Sequence, residues 1–224
     1  MRSTARAVLF DLDGTLVDSA GGIAAALNDT LAARKLGAFE TAAVADMVGG
    51  GVRRLIERAT GRLGIGEDPC LVDALLEEFL VVYRATPCRN SPLYPNAGAA
   101  LAELTERGLK LAVVTNKPDD ISRAMLAELG LAPLLTSIVG SLPGRALKPA
   151  PDMLAIALAD LGVGAADAVM VGDSAADVGA ARSAGLPVIL LAHGYGHGDI
   201  TQLGADMIVR GFAALPAALA ALQQ

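Results

Sequence analysis

Four apolar residues in a row, Ala7 to Phe10, run straight into Asp11, Leu12, Asp13, Gly14 and Thr15. A run of that length bounded by a Gly-Thr turn signal predicts a buried strand. The period then changes. Ile23, Leu27 and Leu31 stand four apart, and Leu71, Leu75, Phe79 and Tyr83 repeat the spacing, so two amphipathic helices are predicted and no strand between Ser19 and Thr86. Asn28 and Asp29 fall on the polar side of the first helix and read as its solvated face. The stretch TPCRNSPLYP, residues 86–95, is rich in Pro and Ser and reads as a linker.

Beyond it strand and helix take turns. A helix capped by Asn96 and closed at Gly108 leads to a strand over 109–115 (LKLAVVT), and a second helix closes at Gly130. A strand over 137–140 (SIVG) precedes a helix that Pro151 starts and Gly162 ends. Strands AVMVG, PVILL and MIV follow from 168, 187 and 207. Such alternation predicts an α/β fold, a Rossmann-like parallel sheet with helices on both faces. The opening strand belongs to that sheet by its apolar character. Residues 1–18 and 91–224 are thus expected to form the core domain, and 19–90 an inserted all-helical domain.

Composition narrows the picture. With 224 residues, 53% of them hydrophobic and 19% charged, the chain can bury a sizeable core without cross-links, and only 3% aromatics makes that core aliphatic. A net charge of -6 argues against nonspecific nucleic-acid binding while leaving room for a local cationic pocket. Cys70 and Cys88 have no metal-ligand spacing and read as two reduced thiols. Arg2 and Arg6 precede an apolar run that Asp11 cuts short, so neither a signal-peptide core nor a membrane span develops, and a cytoplasmic protein is expected.

The polar residues that interrupt the apolar pattern fall at predicted strand ends, where ligands bind in open parallel sheets. Asp11 and Asp13 follow the first strand, Thr115 and Asn116 close the second, Lys148 comes after the third, and Asp173, Ser174 and Asp177 follow the fourth. Taken singly, each has an ordinary structural reading: a loop acid, a strand-end hydroxyl, a solvated lysine, a helix cap. Together they offer carboxylates for a metal, with hydroxyl, amide and ammonium groups for an anion.

The motifs DLDGTLVDS, VVTNK, LKPAPDM and VGDSAAD resemble, in order, the four signatures of the haloacid dehalogenase superfamily of phosphotransferases, with the closest similarity to its phosphoglycolate phosphatase branch. The resemblance spans essentially the whole chain, including a helical cap inserted after the first motif. It implies that Asp11 is nucleophile and metal ligand, that Asp13 lends its main-chain carbonyl to the metal and its side chain as acid and base, and that Asp173 is the second carboxylate ligand. Thr115, Asn116 and Lys148 would hold the phosphate oxygens, with Ser174 and Asp177 orienting them from outside. A carboxylate needs no base to attack phosphorus. One pair of unit charges 4 Å apart costs about 4 kcal/mol at an effective dielectric of about 20, so a carboxylate meeting a phosphate dianion faces on the order of 8. A hard divalent cation, Mg2+, offsets this.

The implied activity is Mg2+-dependent hydrolysis of a small phosphomonoester, a phosphorylated organic acid such as 2-phosphoglycolate or a sugar, by a monomer or homodimer. Dehalogenases with Tyr near the Asp13 position and phosphonoacetaldehyde hydrolases lacking the second Asp fit DLDGT poorly. Phosphomutases of similar layout carry a His where this chain has Ile23, which favours hydrolysis. A pyrophosphatase or nucleotidase of the same fold remains open, as does a noncatalytic binding module. Gly49, Gly50 and Gly51 form either a flexible turn or the cap's substrate loop, with Arg53 or Arg54 reaching a substrate carboxylate. Lys117 is assigned to the surface or a loop, and His193 and His197, in HGYGHGD, to a structural or rim role.

Overall fold

The computed structural model describes residues 5–66, 68–196 and 198–222; Arg2 and His197 lie outside them. Strands β1 (Ala7–Phe10), β2 (Lys110–Pro118), β3 (Ser137–Ser141), β4 (Ala168–Gly172), β5 (Val188–Leu191) and β6 (Met207–Val209) form one sheet. Its order is β3-β2-β1-β4-β5-β6 and every pairing is parallel. Helices α1 (Ala20–Ala33), α2 (Thr41–Ala45), α3 (Val52–Arg62) and α4 (Pro69–Ala85) lie between β1 and the rest of the sheet in sequence. Helices α5 (Ala97–Glu106), α6 (Asp119–Glu128), α7 (Asp152–Leu161), α8 (Ala175–Ala184) and α9 (Leu215–Ala221) alternate with the later strands.

The central place of β1 explains its unbroken apolar run, since both of its faces are covered. Val8 and Phe10 pack with Leu101 of α5, Met125 of α6 and Leu215 of α9 on one face, while Ala7 and Leu9 pack with Met153 and Leu154 of α7 and Val178 of α8 on the other. The inserted helices bury a third cluster that includes Leu27, Leu31, Met47, Leu55, Phe79 and Tyr83, joined by Ile121 of α6. The fourfold spacings read from the sequence supply α1 and α4. Helices α2 and α3 add to them, α3 starting where Gly49, Gly50 and Gly51 take φ of 95°, 95° and 88°, a left-handed run that only glycine adopts without strain.

Two boundaries differ from expectation. Asn96 does not cap α5 through its side chain; it takes φ 64° and turns the chain out of the Pro95 corner, a conformation Asn tolerates. Strand β2 continues past Thr115 to Pro118, its register to β3 shifting between Val114 and Pro118. Pro151 sits one residue ahead of α7, and Gly162 ends it in the left-handed conformation.

The two connectors to the inserted helices run side by side. Val17 bridges Leu93 in antiparallel fashion, the Asp18 N–H donates to Pro92 O at 2.9 Å, and the Tyr94 N–H donates to Leu16 O at 3.0 Å. Among the described residues Cys70 and Cys88 are free thiols, and no helix is long and apolar enough to cross a membrane.

Candidate active site

Strand ends β1, β2 and β4 and the loop after β3 bring the candidate residues to one rim. Asp11 is the first residue past β1, held at the sheet edge by its N–H on Val171 O at 2.9 Å. Lys148 reaches the rim from the β3–α7 loop and has an acceptor for each of its three protons: Asp11 Oδ1 at 2.8 Å, Asp177 Oδ1 at 2.7 Å and Val114 O at 2.8 Å. Asn116 fixes that loop from both sides, accepting the Lys148 N–H at 2.8 Å and donating Nδ2 to Lys148 O at 3.0 Å. Its amide thereby acts on Lys148.

Asp11, Asp173 and Asp177 are buried, and one oxygen from each falls within 4.8 Å of the others. Asp177 is committed to the protein: Oδ1 takes Lys148, while Oδ2 accepts the Ser174 hydroxyl at 2.6 Å and the Ser174 and Asp173 N–H groups at 3.0 and 3.2 Å. Asp173 accepts the Thr15 hydroxyl at 2.9 Å on Oδ1 and the Tyr195 N–H at 2.8 Å on Oδ2. Burial pushes the Asp11 carboxyl above its ordinary range, with Lys148 opposing and Asp177 and Asp13 adding to the rise. Burial also raises Asp173, helped by the charges of Asp177 and Asp11. One ammonium thus pairs with two of three crowded carboxylates and, among the described residues, leaves Asp173 without a cation, a donor set of hard oxygens short of positive charge, which is the chemistry that a divalent cation fits.

Beside this cluster lies a cavity of about 300 Å³. Asp11, Asp13, Thr115, Asn116, Lys117, Lys148, Asp173 and Ser174 line its floor, and Ile23, Gly49, Gly50, Gly51, Leu55, Phe79 and Tyr83 its roof. The glycine triplet is therefore part of the cavity wall. Arg53 is not: it points to exposed Asp73 of α4, 2.5 Å away. Arg54 pairs with Glu57 at 3.2 Å. Arg58, one turn further along α3, lines the cavity and donates Nη1 to Met47 O at 2.8 Å and Gly49 O at 3.3 Å. Arg53 and Arg58 are five residues apart, on different faces of the helix.

Lys117 contradicts its surface assignment most directly. Because β2 runs on to Pro118, Lys117 leaves the sheet rather than a loop, and its ammonium is buried against Asp13 Oδ1 at 2.8 Å and the Tyr83 hydroxyl. Asp13 Oδ1 also accepts the Ser19 hydroxyl at 2.6 Å. His193 has a structural place, with Nε2 3.1 Å from Thr15 O and its ring stacked on Tyr94 at 3.9 Å. Tyr195 was missed by sequence reasoning. Its neighbours signal it: a Cβ on Gly194 would stand 2.2 Å from Asp173 Cβ, so the glycines of HGYG let the loop press directly on the acid.

The family model for haloacid dehalogenase-like hydrolases matches residues 8–191. The chain is 42% identical over 214 residues to the phosphoglycolate phosphatase of Rhodospirillum rubrum, covering 94% of this chain and 89% of that one. It is also 42% identical over 214 residues to the plasmid phosphoglycolate phosphatase of Cupriavidus necator, covering 95% and 92%. Among solved structures, a predicted phosphoglycolate phosphatase from Haemophilus somnus superposes with a TM-score of 0.89 at 30% identity, covering 96% of this chain and 98% of that one. A putative phosphoglycolate phosphatase from Lactobacillus delbrueckii gives 0.88 at 26% identity, covering 97% and 99%.

Proposed function

Since the chain belongs to the haloacid dehalogenase-like hydrolase family, we propose that it is a phosphatase that hydrolyses a small phosphomonoester, 2-phosphoglycolate, in the cytoplasm through an aspartyl-phosphate on Asp11. The observation that carries this reading is the buried carboxylate cluster of Asp11, Asp173 and Asp177, with the Lys148 ammonium on the first and last of them and Asp11, Asp173 and Lys148 lining the cavity. The names of the relatives support the ester.

Asp11 attacks phosphorus with a carboxylate oxygen; the ester P–O bond breaks with its electron pair on the leaving oxygen, which takes a proton from Asp13. Water then attacks the phosphoenzyme and gives its proton to Asp13, and the Asp11–phosphorus bond breaks to restore the carboxylate. Thr115 and Lys148 hold the nonbridging oxygens, Lys148 by charge and position, with Asn116 keeping its main chain in register. Asp11, the Asp13 main-chain carbonyl and Asp173 would hold Mg2+, which when bound supplies the positive charge that offsets the meeting of carboxylate and phosphate. Asp177 and Ser174 orient this set from behind. Helices α1–α4 act as a cap that shields the reaction from water, and Ile23 in its wall favours hydrolysis over isomerisation, for which a proton-carrying side chain is needed there.

The test is phosphate release from 2-phosphoglycolate beside a panel of sugar phosphates, nucleotide monophosphates and pyrophosphate, with Mg2+ and after chelation. Turnover is expected for 2-phosphoglycolate, dependent on the ion. Asp11→Asn with wild-type turnover would remove the nucleophile and the reading with it.

A further inference from the structure

Lys117 is a buried ammonium that the phosphatase chemistry above does not use. It is held from two parts of the chain at once. Asp13, at the end of β1, takes it at 2.8 Å, and the hydroxyl of Tyr83, near the end of α4, takes it from the inserted helices. The Tyr83 ring also faces it, with Nζ 4.5 Å from the ring centroid, an arrangement favourable to a cation. Tyr83 is itself packed against Phe79, ring centroids 5.3 Å apart, in the apolar cluster of the insert. The side chains of Lys117 and Asp13 are 2% and 14% exposed, so the contact is poorly screened by water.

We propose that Lys117 is a positioning residue that orients Asp13 for proton transfer and does so through Tyr83, so that the acid is set correctly when α4 is seated over the site. This rests on the role of Asp13 in the phosphatase reading. Lys117 and Ser19 both bind Oδ1 of Asp13, which fixes the plane of the carboxyl group and assigns proton transfer to Oδ2. Lys148 and Lys117 thereby divide the work: Lys148 faces the nucleophile and Lys117 the acid.

In the step that forms the phosphoenzyme, which kcat/KM reads, a leaving group that needs a proton depends on Asp13 and one that departs as a stable anion does not; hydrolysis of the phosphoenzyme is common to both. The experiment therefore compares kcat/KM for 2-phosphoglycolate, an alkyl ester, with that for p-nitrophenyl phosphate, an aryl ester, in the Mg2+-supplemented full chain. Lys117→Met is expected to lower the alkyl value by about tenfold or more, part of the range that acid–base catalysis supplies, and the aryl value by no more than about twofold. Tyr83→Phe keeps the ring and removes the hydroxyl; it is expected to give the same unequal loss at smaller size. The double variant is expected to fall no further than Lys117→Met, because Tyr83 acts through Lys117. Equal losses on both esters in both variants, or Tyr83→Phe matching the wild type on both, would overturn the proposal. Should Lys117→Met fail to fold, Tyr83→Phe decides alone. A wild type that releases phosphate from neither ester takes down the phosphatase reading first; an active wild type with equal losses takes down this inference alone.

Discussion

Lys148 stands against Asp11 and Asp177 with almost no water on any of the three. Removing one partner from a buried ionic group leaves its counter-charges uncompensated, a loss of about 3–5 kcal/mol. Lys148→Met is therefore expected to lower unfolding free energy by that order in a denaturant titration, besides removing turnover. The two arginines of α3 separate differently. Arg53 is tied to Asp73 on the surface, whereas Arg58 holds the Met47–Gly49 carbonyls at the cavity wall. Steady-state assays are expected to show an unchanged KM for Arg53→Ala and a raised KM for Arg58→Ala. Asp11, Asp13, Lys148 and Asp173 were legible only as a set: each alone has an ordinary structural reading, and it is their order at successive strand ends, in motifs that resemble a known family, that singled them out. Lys117 was not legible in that way. Its burial depends on β2 running three residues past the last residue of the VVT run and on a tyrosine that folds in from 34 positions away.

Helices and strands were read as well as their patterns allowed. The strands declared themselves by apolar runs, and α1 and α4 by residues four apart. Helix α2 has five residues, too few for a period to show, and α3 buries just Leu55, Ile56, Ala59 and Thr60 among four arginines. The loop between them is set by three glycines with positive φ, so its shape is sensitive to a single methyl group. A Cβ on Gly51 would lie 2.9 Å from Leu147 Cδ1, in the loop that carries Lys148. Gly51→Ala is expected to displace the roof of the cavity and raise KM severalfold, a strain at a special backbone conformation rather than a loss of contacts. In α4, Phe79→Ala is expected to cost about 3–5 kcal/mol, measured by thermal or chemical unfolding, since Phe79 is wholly buried in the cluster that α1, α3 and α4 share.

At the scale of the molecule, Asp11, Asp173 and Asp177 crowd like charges in a buried place, a repulsion that a bound cation would relieve. Ligands that bind the folded state alone stabilise it, by about 2.7 kcal/mol at a hundredfold excess over Kd. Added Mg2+ is expected to raise Tm in the absence of substrate, and Asp173→Asn to abolish the rise; a rise of equal size in that variant would place the ion elsewhere. The parallel sheet follows from strand and helix alternating along the chain, but its order does not, and Asp11 and Asp173 are adjacent because β1 and β4 are neighbours. No spacing rule in the sequence conveys that adjacency, which comes from the chain crossing back over the sheet after β3.

The paired connectors have a further consequence. The chain departs for the helical segment at Asp18 and returns at Pro92 across one hydrogen bond, so the sheet experiences everything between as a single side loop. Strand order and pairing are indifferent to its length, while the rim feels it where Tyr83 meets Lys117. Were the helices between them exchanged for others, the sheet would keep its order, and the newcomer would have to supply again the hydroxyl that Tyr83 offers to Lys117.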